Sequence, residues 1–126
     1  MPAPKATAII LRDDKVLLVR VDSRPFALPN ANMHDPRDPA ISVVCRKVSE
    51  VLDLEPLRAE RLEACDVTDQ PYHHHAVRIH VHPQDYPVIM SGITEFIWWD
   101  RATPIKRAPH VDEILEKNAQ HTTSLA

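Results

Sequence analysis

The chain has 126 residues, 44% hydrophobic and 26% charged, with a formal net charge of −3 from 15 basic and 18 acidic side chains. That length fits one domain with its own core and no need of a disulfide or metal staple, so residues 1–126 are expected to fold as a single unit. The interspersed charges form no basic stripe to neutralise a phosphate backbone, which argues against nucleic-acid binding, and no apolar run approaches the roughly 20 residues that span a bilayer.

The opening "MPAPKATAII" carries one Lys and an apolar stretch too short for a secretory signal, so a cytoplasmic location is expected. The two cysteines, Cys45 and Cys65, are too few for a disulfide framework, and Cys45 falls on the inner side of a predicted helix. One Gly and 12 Pro depart strongly from ordinary use of about 7% and 5%. Most of the prolines stand between the predicted elements and punctuate them.

In chain order, apolar residues on both sides of "RDDK" predict a hairpin of strands near 6–11 and 15–21. "SRPFALPNANMHDPRD" reads as a long loop with a short strand at Phe26–Leu28, and loops of that length are commonly functional. Asp38-Pro39 reads as a helix start, with the carboxylate capping the first-turn amides and Pro preorganised behind it. Ile41, Val44, Cys45, Val48 and Leu52 then recur at helical spacing, which predicts an amphipathic helix over 39–52.

"LRAERLEACDVT", "HHHAVRIHVH" and "SGITEFIWWD" read as three further strands, and "HVDEILEKN" as a closing helix with Val111, Ile114 and Leu115 inward. About 120–126 is expected to be a flexible tail. Strand alternation puts Val77, Ile79 and Val81 on one face and His74, Arg78, His80 and His82 on the other. His80 and His82 have the ligand type to share a transition metal, but Arg78 sits among the histidines of that face, and an adventitious or structural role is the expected one. Trp98 and Trp99 must face opposite ways, one into the core and the other toward a ligand pocket.

The order of elements, together with "LPNANMHDPRDPAISVVCRKVSEVLDL", resembles the Nudix hydrolase family over nearly the whole length. The family signature runs Gly, five residues, Glu, seven residues, then Arg-Glu-U-x-Glu-Glu-x-Gly-U, with U aliphatic. Here Asn32 stands at the first Gly, Asp38 at the first Glu, Arg46 at the Arg and Lys47 at the next Glu. Val48 holds the aliphatic position, Glu50 and Val51 the paired Glu, Asp53 the last Gly and Leu54 the final aliphatic. The "ATAIILRDDKVLLVR" hairpin, "ALP" before the loop and "TEFIWWD" as a late strand agree with the family.

The resemblance implies an α/β fold, a mixed β-sheet with helices packed on its faces. It also implies cleavage of a nucleoside diphosphate linked to another group, with Mg²⁺ or Mn²⁺ held by helix glutamates. On this chain it leaves Glu50 as the catalytic carboxylate, Asp38 and Glu50 as metal ligands, and Arg46, Lys47, Asn32 and Trp98 as ligand contacts. A partly hydrated Mg²⁺ needs clustered hard oxygens, and Lys47 and Val51 remove two of them.

The leading expectation is therefore a Nudix-like protein with a degenerate box, weak or no pyrophosphohydrolase activity, and a nucleotide-type ligand whose phosphates meet Lys47 where a metal stood. A divergent hydrolase recruiting Asp35, Asp38, Glu63, Asp66 or Glu95 is the first alternative. A scaffold or homodimerisation module is the second. Asn30 and Asn32 are expected to supply left-handed backbone where the family has glycine.

Overall fold

The computed structural model describes residues 2–125, with side chains described as far as residue 120. In chain order it contains β1 (Ala3–Ile9), β2 (Leu11–Arg12), β3 (Lys15–Arg20), β4 (Asn30–Asn32), α1 (Ala40–Leu52), β5 (Arg58–Arg61), β6 (Val67–Asp69), β7 (Tyr72–His80), β8 (Glu95–Trp99) and α2 (Pro109–Leu125). One sheet has the order β4-β1-β7-β5, with β6 also on β7; the other has the order β2-β3-β8. The β1–β7 pair is parallel and its neighbours are antiparallel, so the first sheet is mixed.

Two cores arise from the period-two alternation of the strands. Ala6, Ala8, Leu17, Val19, Val77 and Ile79 pack with Val44, Val48, Val51 and Leu52 of α1. Ile9, Val16, Leu18, Ala76 and Trp99 pack with Val111, Ile114 and Leu115 of α2. Each helix thus covers its own face of the strands, an α/β layering with helices on both sides.

Several local expectations are corrected. The predicted strand at 6–11 divides: β1 joins the mixed sheet, and only β2 makes the tight hairpin with β3 across Asp13-Asp14. Both Asp residues have positive φ, 49° and 66°, the geometry of a type I′ turn that matches the twist of its strands. Phe26 and Ala27 make isolated bridges to Arg107 and Val19 and form no strand.

Asp38 does not cap α1. Its Oδ2 accepts from the amides of His34 and Asp35, closing the turn before the helix, and Pro39 is the capping position. Ile41 is 36% exposed, not inward, and borders a surface depression with Pro36, Arg61 and His75. Asn30 and Asn32 lie in β4, paired with Thr7 and Lys5, and do not take the left-handed conformation. Left-handed backbone falls instead on Asp53 (φ 53°), whose amide closes α1 on the Ser49 carbonyl at 3.1 Å. The predicted strand around 57–68 is broken by a helical turn at Glu63–Cys65 into β5 and β6. α2 continues through Leu125, past the start of the predicted tail, and Ala126 lies outside the described residues.

Candidate functional site

Beside α1 lies a cleft of about 350 Å³ bounded by β1, the end of β3, the 24–32 segment and the Ser91–Ile93 turn. Helix geometry decides which box residues reach it. Lys47 and Val51, one turn apart, both line it; Arg46 and Glu50 form the next stripe, about 100° round the helix. Arg46 borders a shallow groove with Ser49 and Leu57, and Glu50 is exposed and does not line the cleft.

The expected contacts therefore separate. Lys47 and Asn32 are brought together in the cleft, while Arg46, Glu50, Asp38 and Trp98 are not among its lining residues. Asp38 borders another depression, beside Arg61 and His75. Trp98 is half-buried under the Arg12 guanidinium, 4.5 Å from its ring centre, and Trp99 is the core member of the pair, donating Nε1–H to the Thr103 carbonyl at 2.8 Å.

Sequence reasoning missed Lys5. It is half-buried on β1 opposite Asn32, donates to Asn30 Oδ1 at 3.0 Å, and holds its ammonium 4.1 Å from the Tyr72 ring centre. Burial pushes its pKa down, the Lys47 ammonium pushes the same way, and Asp69 opposes both. The only signal in sequence was a single charged residue in the strand "APKATAI".

Charge in the cleft is one-sided. Lys5, Arg20, Arg24 and Lys47 line it, and no carboxylate does among the described residues. Arg20 is neutralised outside the lining by Glu95, 2.5 Å away, whereas Lys5 and Lys47 have no ion-pair partner among the described residues. Of the other acids proposed as recruits, Asp35 is paired to Arg37 and Asp66 is forked by Arg61 at 2.7 and 2.6 Å. A hard divalent cation needs several oxygen ligands, and this lining offers amides and ammoniums, so the donor set does not fit Mg²⁺ or Mn²⁺.

Two groups elsewhere combine carboxylate and imidazole: Asp66, His73 and His75, and Asp69, His74 and His110. In the second, His110 Nε2 accepts weakly from the Leu28 amide at 3.4 Å, so its Nδ1–H faces Asp69 Oδ2 at 3.3 Å. His74 donates Nε2–H to Asp69 Oδ1 at 3.0 Å and accepts from the Thr7 hydroxyl at 2.8 Å. The lone pair of each imidazole in this group is thus taken by a hydrogen bond. His80 and His82, considered together for a metal, have separate partners, Glu60 at 3.0 Å and the Gln84 amide at 3.1 Å.

No family model and no curated protein matches the chain. Solved structures do. A candidate member of the nudix hydrolase family from Chromobacterium violaceum is similar with a TM-score of 0.78 and 20% identity, over 95% of this chain and 78% of that one. A MutT NUDIX hydrolase from Burkholderia pseudomallei is similar at 0.71 and 24%, over 93% and 98%. The NUDIX domain of Shewanella oneidensis NrtR, solved in complex with ADP ribose, is similar at 0.68 and 19%, over 97% and 89%. The element order, the helices on both sides of the strands and these likenesses agree: the chain has the Nudix fold.

Proposed function

We propose that the chain is a single-domain Nudix-fold binding protein for a nucleoside-diphosphate-type ligand, with weak or no pyrophosphohydrolase activity. The observation that carries this reading is the lining of the cleft: Lys47 and Val51 stand on the helix stripe that faces it, and cations without carboxylates surround it. Ammonium groups attract phosphate oxygens directly but cannot hold a divalent ion or take a proton from water while charged. Asn32 supplies an amide donor at the same wall. Support also comes from the NrtR domain of the same fold, which was solved with ADP ribose. The proposal gives ligand contact to Lys47 and Asn32 and leaves Arg46 and Trp98 outside it.

Calorimetric titration with ADP-ribose tests this reading. Saturable binding that is weakened in Lys47→Glu is expected; an absence of binding would contradict the reading.

A second reading, a dimerisation module, is favoured by one observation: Tyr86, Val88 and Met90 are 70%, 50% and 57% exposed within one short segment. Light scattering on the purified protein decides it, since a dimer split by Met90→Glu would support this reading and a monomer at high concentration would exclude it.

A further inference from the structure

We propose that Lys5 and Lys47 together form a metal-independent diphosphate site in the cleft, so that Mg²⁺ withdraws the ligand instead of recruiting it. The inference rests on the reading of this cleft as a diphosphate site and goes further in saying which chemical form of the ligand it takes.

Positive charge lines the cleft with no carboxylate beside it among the described residues. Lys5 and Lys47 line one cleft from β1 and α1, and neither has a carboxylate partner among the described residues. Burial works against the charge of Lys5, and the Lys47 ammonium across the same cleft acts in the same direction, while the Asp69 carboxylate acts against both. A half-buried Lys5 facing the cleft that the exposed Lys47 also lines raises the energy of the empty state. A dianionic group between them removes that cost and adds charge-assisted hydrogen bonds, for which each ammonium has three donors. Lys5 spends one on Asn30 and keeps others for a ligand.

The same arrangement disfavours the metal complex. A magnesium diphosphate carries two fewer negative charges than the free anion, and its cation would approach two ammoniums with no carboxylate in the lining to offset them. Val51, where the family pattern has glutamate, puts an apolar surface at the remaining place on the helix stripe. No aromatic ring lines the cleft among the described residues, and its cations make the diphosphate the part gripped most strongly.

Titration calorimetry with inorganic pyrophosphate and with ADP-ribose, each in EDTA and in excess Mg²⁺, tests this. Both ligands should bind in EDTA, and pyrophosphate should bind more weakly in Mg²⁺. Lys5→Met and Lys47→Met should each weaken binding roughly 10-fold or more, the loss expected for a hydrogen bond to a charged group. Arg46→Met should leave it unchanged, and Lys5→Arg and Lys47→Arg should restore part of it. Circular dichroism checks each variant, and because Lys5 sits in a strand, Lys47→Met and Lys47→Arg on the exposed helix face carry the test if Lys5→Met does not fold. Binding that needs Mg²⁺, or that survives both methionine changes, would overturn the two-lysine site and leave the diphosphate reading standing. Binding of neither ligand in either buffer would overturn both.

Discussion

The imidazoles of His74 and His110 stack with their centres 4.1 Å apart, and both turn an N–H to the single carboxylate of Asp69. This links β7, the end of β6 and the first turn of α2 through groups that are almost entirely buried. Burial pushes both histidines below their ordinary pKa. His110 falls to about 4, with His74 adding to the shift and Asp69 opposing it.

The sign of the pH dependence follows. Both histidines are neutral in the folded protein and charge more readily when unfolded, so their contribution is complete above the unfolded value of 6.5 and is lost as pH falls from there toward about 4. His110 alone should account for on the order of 2–3 kcal/mol across that window. Urea melts at pH 7 and pH 4.5 should show the fall, and His110→Gln should flatten it; an equal slope in the variant would contradict the assignment.

Arg12 fastens the 82–90 segment. Its Nη2 donates to the carbonyls of His82 (3.1 Å) and Asp85, and its guanidinium lies over Trp98 at 4.5 Å and Tyr86 at 5.5 Å. Further along, the amides of Val88 and Met90 bind the α1 carbonyls of Leu52 and Val51 at 2.8 and 3.0 Å. Arg12→Ala should cost about 1–2 kcal/mol and speed hydrogen exchange at those two amides first. Unchanged exchange there would show that the segment is held without Arg12.

The hairpin turn carries removable strain. Asp13 and Asp14 both take left-handed backbone, which costs an L-residue roughly 1–2 kcal/mol, while glycine takes it without that penalty but loses more entropy on folding. Asp14→Gly should therefore stabilise by about 0.5–1 kcal/mol, read as a higher Tm with no change in ligand affinity. A lower Tm would mean that the Asp14 side chain contributes more than the strain it brings.

What the sequence made legible was whatever follows from local period. Val44, Val48 and Leu52 form the buried stripe that their spacing predicts, and Val111, Ile114 and Leu115 form the inner face of α2. Alternation separates Trp98 from Trp99 as expected. The cleft was legible only in part, because a linear motif does not say which stripe of a helix turns inward: Lys47 reaches it and its neighbour Arg46 does not. The roles of Lys5 and His110 were not legible. Their roles come from pairings between segments far apart in sequence, Lys5 beside Asn32 across the β1–β4 ladder and His110 beside Asp69. Asp38 misled because Asp before Pro favours a helix cap, yet its carboxylate was drawn to the amides of the preceding turn.

The claim that this Nudix fold binds a diphosphate without cleaving it is tested most directly by phosphate and nucleotide release from ADP-ribose with Mg²⁺ or Mn²⁺, comparing the wild type with Glu50→Gln. The account predicts release no faster than the buffer blank in both proteins. Metal-dependent turnover by the wild type that disappears in Glu50→Gln would contradict it and make Glu50 a working catalytic carboxylate.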